Sequence, residues 1–162
     1  MNTETKKTAL VWVWLTVFVV LLDQGSKYLA MHYLNYSQPH VLLPFFNLWL
    51  RFNAGSAFGF LHNAGGWQVF LLSGIAIIVS VVLIVWLAKT PRRDWMMAFA
   101  LSLILGGALG NLIDRIRFNY VIDFFDFHLR DWRFATFNVA DTAITIGVIF
   151  LVLRVLFFGK EK

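Results

Sequence analysis

"FNVADTAITIGVIFLVLRVLFF", residues 137–158, is apolar enough to cross a bilayer, and about 20 helical residues at ~1.5 Å of rise each span a hydrocarbon core of ~30 Å. Yet Asp141 stands near its start. Ionisable groups within spans are costly and usually face a protein interior or a water-filled cavity. An acid in the first turn also has a simpler use, because it complements the helix dipole and caps free backbone N–H groups. Asn138, three residues earlier, is the better cap and leaves Asp141 for another purpose.

The rest of the chain supports a membrane reading. Hydrophobic residues make up 59%, charged residues 14%, and the mean hydropathy is +0.70, all far from soluble averages. Four runs are long enough to span, at about 9–30, 67–88, 95–114 and 138–158. The first follows Lys6 and Lys7 in the manner of a secretory signal peptide, but "DQGSK" at 23–27 stands where a small-residue cleavage site would be needed. Apolar character resumes at Tyr28, so this is an uncleaved span. The expectation is an all-α integral membrane protein with four transmembrane helices, one membrane domain over residues 1–162.

Basic residues set the orientation. Lys6 and Lys7, then Lys89, Arg92 and Arg93 in "AKTPRRD", then Arg154, Lys160 and Lys162 fall on one side, which places both termini in the cytoplasm. The segment at about 31–66 carries only Arg51 and fits the outside. The segment at 115–137 fits less well, with Arg115, Arg117, Arg130 and Arg133 beside Asp123, Asp126 and Asp131. The net charge of +5 is thus explained by topology and anionic lipid headgroups, so membrane lipid is an expected partner and nucleic acid is not. With no cysteine there is no disulfide, thiol nucleophile or thiolate-bound metal.

The two outer segments are unusual loops. "VLLPFFNLWLRFNAGSAFGF", residues 41–60, alternates partly around Asn47, Trp49, Arg51 and Asn53, which predicts short strands at the membrane surface. "NYVIDFFDFHLRDWRFATF", residues 119–137, has the same aromatic, half-polar character. Together they make a shallow platform.

Depth along the spans gathers the polar residues. Asp23 lies about 22 Å up from Thr8, Lys27 one turn further, and Asn111 about 24 Å up from Trp95. Asp114 and Arg115 follow Asn111 on the same helix face, and Asp141 begins the last span from the outside. Asp23 and Lys27, spaced i, i+4 in the favourable order, read as a structural ion pair. "GGALG" at 106–110 has the small-xxx-small spacing of closely packed helices. Polar groups at one depth argue against the through-path of an ion transporter.

Asp123, in "YVIDFFDF" at 120–127, is a partner for Asp141 at the same surface. Two carboxylates close together in a poorly hydrated place share a proton, because both cannot readily ionise. Such a dyad suits peptide-bond hydrolysis, with one member taking a proton from water and the other hydrogen-bonding the scissile carbonyl; neither metal nor cofactor is required. Asp126 and Asp114 are rival partners at this stage. A Ser-Lys protease is the alternative enzyme, but Ser26 and Lys27 are adjacent on a helix and face apart, which leaves a distant serine such as Ser56. His32, His40, His62 and His128 lie outside the expected spans, scattered, and are a poor basis for a metal site.

These residues carry a specific resemblance. "DQGSK" at 23–27, "NAGSAFGF" at 53–60, "GGALGNLIDR" at 106–115, "VIDFFDF" at 121–127 and "FNVADTAI" at 137–144 occur in the order of the lipoprotein signal peptidases, the type II signal peptidases of the bacterial cytoplasmic membrane, and span nearly the whole chain. The resemblance implies that Asp123 and Asp141 are the catalytic aspartates, with Asp23, Lys27, Asn53, Gly55, Asn111, Asp114, Arg115, Asn138 and Ala140 around or supporting them. It implies a small extracytoplasmic β cradle and a surface helix within 31–66. It also implies the substrate, a diacylglyceryl-prolipoprotein cut on the N-terminal side of its lipidated cysteine at the outer face of the inner membrane. One departure is that "ATFNVAD" lacks the proline often found just before Phe137.

Overall fold

A computed structural model describes residues 8–55, 65–129 and 132–158. A short 3-10 turn at Ala9–Trp12 leads into α1 (Val13–Tyr33). Strands β1 (His40–Leu43) and β2 (Phe46–Asn53) follow, then α2 (Trp67–Lys89) and α3 (Trp95–Phe118). The chain closes with β3 (Val121–Leu129), β4 (Trp132–Arg133) and α4 (Val139–Phe158). All four expected spans are helices of membrane-crossing length and hydropathy.

Two boundaries differ from expectation. The first span continues three residues to Tyr33, so His32 lies in its last turn. The third runs past residue 114 to Phe118, because Arg115 and Arg117 end the apolar pattern without ending the helix. Basic side chains in a last turn favour the helix dipole. The stop comes at Asn119, whose left-handed backbone (φ 64°) lets its N–H close on the Arg115 carbonyl at 3.0 Å.

Helix α3 is the central element. Half of its residues are buried, whereas α1, α2 and α4 turn long rows of Leu, Ile, Val and Phe outward. Glycine spacing explains the centrality. A methyl group on Gly106 would lie 2.7 Å from Val19 Cβ of α1. One on Gly107 would collide with the Ala140 carbonyl oxygen of α4. Small residues let the backbones meet where lipid supplies no hydrophobic drive between helices, as "GGALG" predicts.

The segments between α1 and α2 and between α3 and α4 form one antiparallel sheet in the order β1-β2-β3-β4. Ala30 of α1 packs with Leu50, Ile122 and Phe124 beneath it. The partial alternation expected along β2 is interrupted, since the register with β3 shifts between Leu48 and Arg51. Three steps along β2 there match two along β3, a bulge in β2. A bulge reverses which face later residues occupy, so Asn47 and Asn53, six apart, point to opposite faces. The surface helix expected within 31–66, together with Ser56 and His62, lies outside the described residues.

The opposite end of the bundle is tied by polar contacts. Ala9 N–H donates to the Thr90 carbonyl at 2.9 Å, and Asp94 caps α3 by accepting from Met97 N–H at 3.2 Å. Arg154 of α4 grips Asp94 with Nε and Nη2 at 3.0 and 2.9 Å.

Candidate active site

The site forms where β2, β3 and the start of α4 meet the C-terminal end of α3. Asn53, Asn111, Arg115, Asp123 and Asp141 line one cavity of ≈ 460 Å³, with Val121, Phe137, Ile144 and Ile146 among its apolar walls. Asp123 and Asp141 thus face one cavity.

The rivals are engaged elsewhere. Asp126 pairs with Asn47 Nδ2 at 2.8 Å and Arg133 Nη1 at 2.6 Å. It sits three residues from Asp123 on β3, and the bulge in β2 supplies each aspartate with its own asparagine on its own face. Asp114 accepts from Lys27 Nζ at 2.8 Å, Gln24 Nε2 at 2.8 Å and Ile122 N–H at 3.1 Å.

Asparagines hold both cavity aspartates. Asp123 Oδ1 accepts from Asn138 Nδ2 at 2.8 Å, and its Oδ2 from Asn53 Nδ2 at 3.1 Å. Asp141 Oδ1 accepts from Asn111 Nδ2 at 2.8 Å. Asn138 caps α4 by accepting from Asp141 N–H at 2.9 Å, while Asp141 Oδ2 accepts the Asn138 N–H at 3.2 Å. This reciprocal pair is a capping box. Asp141 thus serves the helix end with one oxygen and faces the asparagine of α3 with the other.

The amide orientations are themselves fixed. Asn111 Oδ1 accepts from Lys27 Nζ at 3.1 Å and from Asn138 Nδ2 at 3.1 Å, which leaves its NH2 for Asp141. Asn53 Oδ1 accepts from Gly55 N–H at 3.0 Å, which leaves its NH2 for Asp123. Lys27 also pairs with Asp23 at 2.8 Å, so the expected ion pair is present and extends to Asp114. Asp23 Oδ1 in turn accepts from Ala140 N–H at 2.9 Å, joining α1 to the first turn of α4. Arg115 reaches the carbonyls of Asn111 and Gly55 at 3.4 and 3.5 Å.

Asp123 is 1% exposed, and burial first, then the charge of Asp141, pushes its carboxyl up from 3.8 to about 7. Hydrogen bonds from Asn53 and Asn138 and the charge of Lys27 oppose that rise. A carboxyl in this range exchanges a proton near neutrality, which suits general acid–base work.

Gln24 was missed by the sequence reading. Its Nε2 lies 2.8 Å from Asp114, 3.1 Å from Asp23 and 3.2 Å from the Gly110 carbonyl. The signal was available, because an amide inside a span is as conspicuous as Asp23 beside it. The backbone of 134–136, which lines the same cavity, carried no such signal.

Comparison with known proteins gives a consistent result. The family model for signal peptidase (SPase) II matches residues 15–157. A lipoprotein signal peptidase of Coxiella burnetii is 52% identical over 162 residues, covering 100% of this chain and 99% of its own. One of Acinetobacter baylyi is 45% identical over 153 residues, covering 94% and 86%. A bacterial membrane enzyme solved by the in meso method at 2.3 Å resolution superposes with a TM-score of 0.82 at 32% identity, covering 98% of both chains.

Proposed function

The chain belongs to the signal peptidase II family, and from that premise we propose that Asp123 and Asp141 are its catalytic pair. The protein is an aspartic-type signal peptidase that removes signal peptides from prolipoproteins. The observation that carries the assignment is the convergence of two asparagine-held aspartates, from β3 and α4, on one cavity.

Hydrolysis needs one ionised and one protonated carboxyl. The ionised member takes a proton from water as the water oxygen bonds to the scissile carbonyl carbon, and the protonated member hydrogen-bonds and protonates the carbonyl oxygen. Collapse of the tetrahedral diol breaks the C–N bond as the aspartate that took the water proton gives it to the amine nitrogen and the other aspartate takes back a hydroxyl proton, which re-forms the carbonyl and restores the dyad. Because the pair titrates jointly, neither aspartate alone owns the first proton. Asn53, Asn111 and Asn138 orient the carboxylates, with Gly55 and Lys27 fixing two of those amides. Asp23, Asp114 and the Ala140 amide brace α1, α3 and α4 behind them, and Arg115 stands at the cavity to meet a substrate carbonyl.

The substrate is a diacylglyceryl-prolipoprotein cut N-terminal to its lipidated cysteine. Its acyl chains remain among membrane lipid and hold the scissile bond at the dyad's depth, which supplies orientation. The basic residues Lys89, Arg92, Arg93 and Arg154 lie at the bundle end away from the sheet, which supports cytoplasmic termini and a site at the outer face of the inner membrane, with the sheet as its extracytoplasmic cradle. Residues 1–162 act as one membrane domain.

The test is cleavage of a diacylglyceryl-cysteine prolipoprotein in lipid by wild type, Asp123→Asn and Asp141→Asn, beside an unlipidated substrate. Both variants should lose at least about 10²-fold in rate while remaining folded, as removal of a general acid–base group does. Full activity in either would return that aspartate to a structural role.

A further inference from the structure

The cavity has an edge made of backbone. After β4 the chain continues through residues 134–136 beside β3, with one residue more than β3 between the pairings His128–Arg133 and Phe125–Phe137. Phe134 N–H donates to the Phe127 carbonyl at 2.9 Å, and Phe137 N–H to that of Phe125 at 3.1 Å. The Phe137 carbonyl accepts from Phe124 and Phe125 N–H at 3.1 and 2.9 Å. Between these anchors, the N–H and C=O groups of Ala135 and Thr136 make no hydrogen bond among the described residues. Both residues are half-buried and line the same cavity as Asp123 and Asp141.

Backbone donors and acceptors in a poorly hydrated place are costly to leave unmade, and nearly all such groups find a partner. Unpaired backbone alongside a sheet is a template for one more strand. We propose that Ala135–Thr136 is a docking edge on which the signal-peptide residues before the scissile bond lie extended, hydrogen-bonded main chain to main chain. This rests on the same cavity being the active site. The consequence concerns specificity. Main-chain bonds are indifferent to side chains, so one edge serves signal peptides of different sequence, while alternate substrate side chains point into the apolar cavity wall or away from it.

A substrate-side scan tests the edge without altering the enzyme. Each amide in the residues preceding the lipidated cysteine is replaced in turn by an ester, which removes one N–H donor. The edge predicts a rise in KM of about three- to tenfold at one position, or at two positions two residues apart, with intervening positions and kcat little changed, as for loss of one hydrogen bond. On the enzyme, Thr136→Pro or Ala135→Pro removes one edge donor, and at least one should raise KM for the unmodified substrate at an unchanged melting temperature. A scan that is flat, or sensitive at adjacent positions, overturns the edge even if the proline variants fail to fold. If the unmodified substrate is cut in an Asp123- and Asp141-dependent way and the scan is flat, the edge alone is wrong; if wild type does not cut it, the reading of the cavity fails as well.

Discussion

At Asp123 two influences raise the carboxyl and three oppose it, so removing one of the latter has a defined sign. Asn53→Ala deletes a hydrogen bond that favours the charged form, and the carboxyl rises further above about 7. If Asp123 carries the proton lost on the alkaline side, the alkaline limb of kcat/KM moves to higher pH, which a pH–rate profile in lipid reads directly. The same group makes folding pH-dependent. Below 3.8 the folded and unfolded chains both hold this proton; between 3.8 and about 7 only the folded chain keeps it; above that both have lost it. Stability from this group is therefore greatest at low pH and falls through that window. Asp123→Asn should flatten that part of the melting-temperature profile, and an unchanged slope would place the titration elsewhere. The two cavity aspartates were legible because polar residues of separate segments converge on one depth. The choice against Asp114 and Asp126 was not, since it depends on Lys27, Gln24, Asn47 and Arg133 arriving from distant parts of the chain.

At the scale of elements, apolar run length placed the four helices almost to their ends, and partial alternation within 41–60 pointed to short strands there. What periodicity did not reveal was the bulge in β2, whose effect is to give Asp123 and Asp126 separate asparagines. Nor did it reveal that α3 outlasts its apolar stretch, because an interfacial helix end tolerates arginine. Contact between helices is testable at the glycines. A methyl on Gly107 meets backbone as well as Ile144 Cγ1 at 2.6 Å, and backbone cannot swing aside. Gly107→Ala should cost about 1–3 kcal/mol in micelle unfolding, as overpacking does. Gly25→Ala, where nothing lies within 4 Å, should be neutral or slightly stabilising as a helix-propensity gain. At the far end, Asp94→Ala removes a cap and its arginine clamp together, and a loss of about 1–2 kcal/mol is expected. Turnover per folded molecule should hold, because Asp94 belongs to the end of the bundle away from the cavity.

Across the molecule, one buried ion network connects what the membrane alone would leave loosely associated. Lys27 is 1% exposed, and Asp23 and Asp114 are fully buried. Through them α1 holds α3 by Asp114, the start of β3 by the Ile122 amide, and the start of α4 by the Ala140 amide. Two carboxylates face one ammonium there, and Gln24 donates to both. Removing the ammonium alone leaves two buried carboxylates close together, so Lys27→Met should destabilise by about 3–5 kcal/mol. Neutralising the whole network is a different change. Lys27→Met combined with Asp23→Asn and Asp114→Asn leaves no unpaired charge, and micelle unfolding should recover most of that loss. Activity should not follow, because Asn111 has still lost the cation that turns its carbonyl away from Asp141. Only Asn138 Nδ2 then still holds that oxygen, so the flipped amide, with its oxygen toward the carboxylate, is more populated, and kcat falls while the fold is restored. Recovery of both stability and turnover in the triple variant would mean that the network braces helices and does nothing for the dyad. Recovery of neither would mean that the amides of Ile122 and Ala140 need charged acceptors to hold β3 and α4 in place.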